Sequence, residues 1–215
     1  MKYDAIVVAG GVGKRAGLGQ NKVLYKMKNG TTVIEMSCRL FFEDDDCKKV
    51  ILVINDEVDF SDNKLVVVEG GKERYDSVSN GLKEVSSEYV LIHDGARPFL
   101  DKEDLESVKK EVSIYDAAIL AKKSTNTIKY SEDGFIEKTI DRNNIYEAET
   151  PQAFKTELIK DAYKDLTDNI TDDAYLVEKK GHKVKLVESK HKNIKLTNKE
   201  DFENLWIENS ILANI

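Results

Sequence analysis

The stretch YDAIVVAGGVGKRAGLGQNK, residues 3–22, decides the fold. An apolar run typical of a β-strand, YDAIVV, leads directly into a segment rich in glycine and positive charge. A segment of this kind after a first strand lies at the carboxyl edge of the sheet, where open α/β sheets bind their ligands. We therefore expect an α/β sheet with a phosphate-binding loop at its edge.

Short β-rich runs alternate with helical patterns along the chain. This alternation predicts a mostly parallel, twisted sheet with helices on both faces. Runs such as VILVI and YVLI are apolar at every position, as expected of strands covered on both sides. The predicted strands are 3–9, 49–55, 64–68, 88–93, 116–121 and 183–188, and the predicted helices are 32–43, 73–85, 101–112, 155–165, 171–180 and 199–209.

The domain organisation follows from length and from one break in the alternation. A chain of 215 residues suits a single α/β domain spanning residues 1–215. Residues 122–148 contain short extended pieces around the turn SEDG and predict an inserted β-hairpin arm. Because an isolated hairpin is marginally stable in water, we expect the arm to pack on something else, such as a second copy of the chain.

The composition excludes several classes of protein. A net charge of −7 argues against a chain that wraps a nucleic-acid polymer. The longest apolar runs fall well short of the roughly 20 residues that span a bilayer, and the sequence opens on a strand rather than on a secretory signal. Two cysteines and three scattered histidines do not suggest a metal site. We expect a cytoplasmic protein that binds small anions through locally gathered positive charge.

Residues 9–22 can be compared with three kinds of phosphate-binding loop. The dinucleotide pattern GxGxxG needs a helix directly after it, and Gly17 and Gly19 oppose one because each glycine in a helix costs roughly 1 kcal/mol. The Walker pattern GxxxxGK[ST] fails because Arg15 stands where Ser or Thr is required. An open loop remains, with backbone N–H groups facing a phosphate chain and Arg15 and Lys22 as counter-charges. An ordinary solvated loop is the alternative.

Further clusters follow other strands. HDGARPFL (93–100) delivers Asp94 and Arg97 to the same edge of the sheet. There an acid can meet a ribose hydroxyl or a metal on a triphosphate, and an arginine can hold a phosphate by two hydrogen bonds. EGGKERYDSV (69–78) either lets Gly71 approach a flat ligand such as a base or simply makes a tight turn. NIKLT (193–197) carries Lys195, a residue type that is most often solvated in such a position.

Taken together, nine stretches resemble the 2-C-methyl-D-erythritol 4-phosphate cytidylyltransferase family. They occur in family order over nearly the whole chain and are AGGVGKR, NKVLY, GGKERYDSV, HDGARPF, TNTIK, IDRN, ETPQAF, ITDDA and NIKLT. The resemblance implies a Rossmann-like nucleotidyltransferase sheet and a homodimer joined by the protruding arm. It also implies a magnesium-dependent reaction in which CTP and methylerythritol 4-phosphate give the cytidine diphosphate alcohol and pyrophosphate.

The same resemblance implies roles for residues at matching positions. The catalytic residues would be Arg15, Lys22 and Lys195. The nucleotide would contact Ala9, Gly10, Gly11, Gly13, Gly71, Ser77 and Asp94. The polyol phosphate would contact Asp94, Arg97, Thr127, Arg142, Thr150 and Lys195, with Thr127 and Arg142 supplied by the arm of the neighbouring subunit. Magnesium would be held mainly by the phosphates of CTP, with Asp94 as the candidate protein ligand.

Three positions depart from the family pattern. Gly10 stands where alanine is usual, and related pentitol-phosphate cytidylyltransferases often carry AGG, so another polyol phosphate such as ribitol 5-phosphate is the alternative acceptor. Asn21 stands where proline is common, and Lys72 stands where an acid is common. TNTIK and IDRNNIYEAETPQ favour the methylerythritol enzyme.

Overall fold

A seven-stranded sheet forms the centre of the molecule. The computed structural model describes residues 1–10, 21–27, 29–166, 170–198 and 200–202. The strands are β1 (Tyr3–Val8), β2 (Cys47–Val53), β3 (Leu65–Val68), β4 (Tyr89–Asp94), β5 (Ala117–Lys123), β6 (Ile128–Tyr130), β7 (Lys138–Ile140), β8 (Tyr146–Lys155) and β9 (Lys185–Glu188). The sheet has the order β3-β2-β1-β4-β8-β5-β9, and only β8 runs antiparallel to its neighbours.

Helices cover both faces of this sheet. They are α1 (Val33–Glu43), α2 (Arg74–Glu84), α3 (Lys102–Tyr115), α4 (Thr156–Ala162) and α5 (Asp173–Lys179). Side chains of α1 and α3, such as Phe41 and Leu105, pack in one core, while Val78 of α2 and Ile159 of α4 pack in the other. The predicted fold class is confirmed. Within the described ranges, no helix is long and apolar enough to cross a membrane.

Strand β8 corrects the sequence-based assignment, which placed no strand at residues 146–155. Its glutamates and Pro151 are untypical of a central strand, since proline cannot donate to a sheet ladder. In the structure the last pairing of β8 with β4 joins Gln152 to Ile92, and the pairing with β5 shifts register between Ile119 and Ala121. Pro151 therefore lies where the ladder is already interrupted, which is how a central strand tolerates it.

Strand directions bring parts of three strands, β1, β4 and β8, to one edge of the sheet. Strands β1 and β4 are parallel, and Val8 lies opposite Asp94 at their carboxyl ends. Because β8 runs the other way, its early part reaches the same edge, where the N–H of Asp94 donates to Thr150 Oγ1 at 3.0 Å. The end of β1, where the glycine-rich segment begins, is therefore next to Asp94.

The predicted hairpin is present but shorter than expected. Strands β6 and β7 pair antiparallel as a separate two-stranded sheet, whereas both ends of the predicted insert belong to β5 and β8. Phe135 and Ile136, between β6 and β7, are 77% and 67% exposed. The role of this hairpin as a dimerisation arm stays a prediction. The helix predicted at 199–209 lies mostly outside the described residues, of which 200–202 are helical.

An ionic cluster holds α3 against the segment between α1 and β2. The Lys109 ammonium on α3 lies 2.7 Å from Asp44, 2.8 Å from Glu106 and 3.1 Å from Asp46, and its side chain is 6% exposed. Burial would raise the pKa of Asp44, but the hydrogen bond from Lys109 and others outweigh it and lower that pKa. Lys2 and Lys109 together lower the pKa of Asp46 to about 2.

Replacing this lysine should cost stability in a pH-dependent way. We expect Lys109→Met to lower the free energy of unfolding by about 2 kcal/mol at pH 7, because a partly buried carboxylate loses its partner. Stability gained from lowered carboxyl pKa values is present above the unfolded pKa near 4 and is lost as pH falls toward 2. Urea denaturation at pH 7 and pH 3 should therefore show a smaller difference at pH 3. Lys110→Met is the exposed control, and an equal deficit at both pH values would contradict the assignment.

Candidate active site

Asp94 ends β4 with three cationic side chains around its carboxylate. Lys195 Nζ lies 2.8 Å and Arg97 Nε 3.4 Å from Oδ2, and Arg74 Nε lies 3.3 Å from Oδ1. Burial alone would raise the pKa of Asp94, but the three cations, Arg74 first, outweigh it and hold the pKa well below its usual range. Asp94 is therefore ionised at neutral pH and acts as the shared counter-ion of cations from three parts of the chain.

These side chains line a cleft of about 260 Å³ at the carboxyl edge of the sheet. The lining residues are Arg74, Asp94, Arg97, Ala148, Glu149, Thr150, Gln152, Thr171, Asp172 and Lys195. The lining contains as many carboxyl side chains as cationic ones. Burial is also the main reason why the pKa of Glu149 is raised above its usual value.

Arg74 is held from the side opposite Asp94 by a buried carboxylate. Two of its N–H groups donate to Asp173, at 3.0 and 2.7 Å, and Tyr163 donates its hydroxyl to the same carboxylate at 2.5 Å. Gln152 anchors the start of α5 by accepting from the N–H of Ala174 at 3.0 Å. Neither Arg74 nor Asp173 was among the predicted site residues. The motifs GGKERYDSV and ITDDA contain them, but nothing in either motif indicates that the two residues pair.

His93 is fully buried beside Asp94, and its contacts define its tautomer. Nε2 lies 3.0 Å from the carbonyl oxygen of Arg97, which can only accept, so Nε2 carries the proton. Nδ1 therefore accepts from the hydroxyl of Thr150, 3.0 Å away, and Thr150 Oγ1 accepts in turn from the N–H of Asp94. This chain of hydrogen bonds fixes Asp94 and Arg97 relative to β8.

The segment 193–196 brings the two predicted catalytic lysines together. Arg97 donates to the carbonyl of Asn193 at 2.6 Å, and Lys22 Nζ donates to the carbonyl of Leu196 at 2.6 Å. Lys195, which lies between Asn193 and Leu196 in the sequence, extends its ammonium group to the carboxylate of Asp94. Lys195 is thus not simply a solvated lysine, and Lys22 meets the same segment from the end of the glycine-rich stretch. Asn193, which the sequence did not single out, is an organising residue of the cleft.

The residues predicted to contact the base also lie together. The N–H of Gly71 donates to Ser77 Oγ at 3.0 Å. A Cβ at Gly71 would lie 2.2 Å from the Cβ of Asp76, so only glycine fits there. A Cβ at Gly10 would lie 3.0 Å from Ser77 Oγ and 3.3 Å from the Cα of Gly70. The departure from the family at Gly10 therefore falls on the side predicted to hold the base.

The remaining predicted residues are placed differently. Ala9 extends β1, and its N–H donates to the carbonyl of Val53 at 2.8 Å. Thr127 and Arg142 are exposed on the arm, where Arg142 donates to the carbonyl of Thr125 at 2.8 Å, and neither lines the cleft. Three predicted residues lie outside the described part of the chain: Gly11, Gly13 and Arg15.

The described residues offer few ligands for a metal ion. Over the described residues, no group of three or more His, Cys, Asp and Glu side chains is arranged to bind a metal. Asp94 offers one ionised carboxylate in the cleft, whose lining also includes Glu149 and Asp172. One carboxylate suits a cation such as Mg²⁺ that keeps several waters and takes most of its remaining ligands from phosphates.

A mostly parallel sheet with a cleft at the carboxyl edge of β1 and β4, lined by both cationic and carboxyl side chains, defines the class as a Rossmann-like α/β nucleotidyltransferase. The chain belongs to the 2-C-methyl-D-erythritol 4-phosphate cytidylyltransferase family, whose model matches residues 3–208. The family resemblance inferred from the nine motifs is thereby confirmed.

Individual relatives agree along the whole chain. The enzyme of that name from Shouchella clausii is 43% identical over 215 residues, covering 94% of this chain and 93% of its own. The one from Geobacillus kaustophilus is 39% identical and covers 100% of this chain and 98% of its own. The crystal structure of the Francisella tularensis enzyme of that name superposes with a TM-score of 0.82 at 28% identity, covering 95% of this chain and 99% of its own. The structure of 4-diphosphocytidyl-2C-methyl-D-erythritol synthase from Anaerococcus prevotii gives a TM-score of 0.85 at 30% identity, over 97% and 96%.

The His93 arrangement can be tested by nitrogen NMR and stability. Burial lowers the pKa of His93 to about 4, so the ring should remain the neutral Nε2–H tautomer from pH 5 to 8. Because this pKa is depressed, the stability that it contributes is present above the unfolded pKa near 6.5 and is lost as pH falls toward 4. Thr150→Val should lower the free energy of unfolding by about 2 kcal/mol, since two buried groups lose their partner.

The exposed Thr125→Val is the matched control for this loss. A His93 ring that titrates near pH 6.5, or a Thr150→Val protein as stable as the control, would contradict the proposed hydrogen-bond chain.

Proposed function

We propose that the protein transfers the cytidylyl group of CTP to 2-C-methyl-D-erythritol 4-phosphate, giving 4-diphosphocytidyl-2-C-methyl-D-erythritol and pyrophosphate. The family match over residues 3–208 and the names of the relatives support this activity. The structural observation that carries it is that Lys195 and Arg97 line one cleft at the carboxyl edge of the sheet, while Lys22 contacts the segment that carries Lys195.

The chemistry requires positioning more than it requires a protein nucleophile. An oxygen of the acceptor phosphate forms a bond to the α-phosphorus of CTP, and the bond from that phosphorus to pyrophosphate breaks. A phosphate monoester loses its second proton near pH 6, so the attacking oxygen is already ionised at neutral pH. The protein then aligns two anions and stabilises the charge that develops between them. The lysine and arginine side chains that line the cleft suit this task.

Lys22 and Lys195 are proposed to act on opposite sides of the reacting phosphate. Each has an internal partner: the carbonyl of Leu196 for Lys22 and the carboxylate of Asp94 for Lys195. We propose that phosphate oxygens replace these partners and accept hydrogen bonds from both ammonium groups when CTP binds. Both lysines would then stabilise the charge that develops at the α-phosphorus. Arg15 is proposed as the third catalytic cation, on the family resemblance alone.

The proposed nucleotide contacts follow the glycine cluster. The residues are Ala9, Gly10, Gly11, Gly13, Gly71, Ser77 and Asp94, of which Gly10, Gly71 and Ser77 adjoin one another. The proposed acceptor contacts are Asp94, Arg97, Thr150 and Lys195 from this chain, with Thr127 and Arg142 from a neighbouring subunit. Since Gly10 borders Gly70 and Ser77, its departure from the family gives no reason to prefer a different polyol phosphate.

A divalent cation is proposed from the charge balance of the cleft. The cationic side chains of the lining are already matched in number by carboxyl side chains. Two phosphate-bearing ligands therefore need further positive charge, which Lys22 and the glycine-rich segment supply in part. Mg²⁺ held mainly by the phosphates of CTP, with Asp94 as candidate ligand, would neutralise the triphosphate and the leaving pyrophosphate.

A homodimer is proposed from the hairpin arm. Its tip exposes Phe135 and Ile136, and a small hairpin of this kind gains stability by packing. Thr127 and Arg142 lie on the same insert and outside the cleft of their own chain. A partner subunit would bring these two residues to a phosphate. The organisation as one domain over residues 1–215 and the cytoplasmic location stay predictions.

A pyrophosphate-release assay tests the activity. With CTP and Mg²⁺, methylerythritol 4-phosphate should be the best acceptor in a panel that includes ribitol 5-phosphate. Lys22→Ala and Lys195→Ala should each lower kcat/KM by roughly 10²–10³-fold, as expected for lost transition-state charge stabilisation. Lys26→Ala, an exposed lysine near Lys22, is the control and should match wild type. Faster turnover of ribitol 5-phosphate would overturn the assigned acceptor, and near-normal turnover by a folded Lys22→Ala protein would overturn the role of that lysine.

Mixed dimers test the shared site. Arg142→Ala and Lys22→Ala proteins should each be nearly inactive alone, but a heterodimer of the two contains one site in which both residues are intact. Mixing them with subunit exchange should therefore restore up to about a quarter of wild-type activity, as random pairing gives half heterodimers with one intact site each. Lys129→Ala on the arm is the control for general damage. Absence of recovery despite exchange shown by native mass spectrometry would argue that the site is not shared.

A further inference from the structure

Asn21 is the first described residue after the glycine-rich segment, and its side chain is buried and fully hydrogen-bonded. Nδ2 donates to Asp56 Oδ2 at 2.7 Å and to the carbonyl of Ala9 at 3.3 Å. Oδ1 accepts from the N–H of Val23 at 3.4 Å. The amide group has two N–H donors, and both are used. The Asn21 side chain therefore connects Ala9, the residue before the segment 10–20, to Asn21 itself, the residue after that segment. It also connects both to the loop that follows β2.

The backbone at Asn21 starts the short 3₁₀ turn Lys22–Leu24. The carbonyl of Asn21 accepts from the N–H of Leu24 at 3.0 Å, and the next side chain, Lys22, reaches the carbonyl of Leu196. A shift of Asn21 would therefore displace Lys22 as well. Its φ of −60° lies close to the value near −65° that a proline ring enforces, so proline would fit this backbone.

We propose that Asn21 is a positioning residue that holds the two ends of the glycine-rich segment together and thereby sets where Lys22 meets the triphosphate. The identity of the ligand rests on the proposed function. The hydrogen bond from Asn21 to Ala9 spans 12 residues, so it restrains the ends of the whole segment. By holding residue 21 against residue 9, this hydrogen bond also limits where Lys22, the next residue, can lie.

Substitution of Asn21 should weaken binding of the nucleotide and leave binding of the acceptor nearly unchanged. Asn21→Ala should weaken binding of Mg²⁺–CTP and lower kcat/KM for CTP by about tenfold, the effect of losing a hydrogen bond to a charged group. The KM for methylerythritol 4-phosphate should stay within about twofold of wild type, because the Asn21 side chain bonds to Ala9, Asp56 and Val23, none of which is assigned to the acceptor. Asn21→Pro should recover most of the loss, since the ring restores the backbone restraint without the amide.

Binding is measured by isothermal titration with Mg²⁺–CTP and no acceptor, alongside steady-state kinetics. The matched control is Asn29→Ala, which removes an exposed asparagine whose side chain accepts from the N–H of Thr31 at 3.1 Å. Wild-type affinity and kcat/KM in Asn21→Ala, or an Asn21→Pro protein as weak as Asn21→Ala, would overturn the proposal. So would an equal rise in KM for both substrates, which a general loss of structure predicts.

Two further outcomes separate this inference from the proposed function. If wild type binds CTP but does not turn over methylerythritol 4-phosphate, the proposed acceptor is wrong while the titration still tests Asn21. If Asn21→Ala does not fold, Asp56→Ala removes the shortest of the contacts from an exposed position. That variant should bind CTP about threefold more weakly, as expected for a single lost surface contact, and wild-type affinity would overturn the proposal.

Discussion

The ionised carboxylate of Asp94 is the constraint on which the arrangement of the cleft depends. A carboxylate at this depth is unfavourable unless it is paired, and cations gathered this closely would repel one another without it. Pairing offsets both the burial of the carboxylate and the repulsion among the cations. Arg74 reaches Asp94 from α2, Arg97 from the turn after β4 and Lys195 from the segment after β9. The cations are therefore in place before any ligand arrives, which lowers the reorganisation needed during a reaction.

The same pairing explains how an acidic chain can be suited to two anionic ligands. Net charge is −7, yet the cleft concentrates cations whose partners are internal acids and carbonyls. Under the proposed function, an entering phosphate would replace these partners rather than meet free charges. The gain from each exchange would be modest, because an existing ion pair or hydrogen bond is given up. The divalent cation proposed above would then supply additional positive charge for binding two anions.

The sequence predicted the fold more completely than it predicted the site. Alternating apolar runs were enough to assign the parallel strands and their covering helices, because periodicity is a local signal. Strand β8 was missed because its polar residues and Pro151 are untypical of a central strand, and its reversed direction is what brings Thr150 to Asp94. Asp94, Arg97 and Lys195 were found because each follows a strand or lies in a family motif.

The contacts that hold these residues were not predictable from local pattern. Arg74 and Asp173 are 99 positions apart, and Asn193 meets Thr150 across 43 positions, with Nδ2 2.6 Å from the Thr150 carbonyl. Such pairs are set by how α5 and the segment after β9 pack on the sheet. No sequence motif indicates that packing, because each partner taken alone is an ordinary polar residue.

The positions that depart from the family pattern lie on the side proposed to hold the nucleotide. Gly10 borders Gly70 and Ser77, Lys72 follows Gly71, and Asn21 adjoins Ala9. Asn21 has the φ that a proline would enforce, and its side chain adds hydrogen bonds to Ala9 and Asp56. Arg97 and Thr150, on the side proposed to hold the acceptor, are held by partners that are themselves buried. A change at either position would leave a buried polar group without its partner, whereas the backbone restraint at Asn21 can be met by more than one side chain.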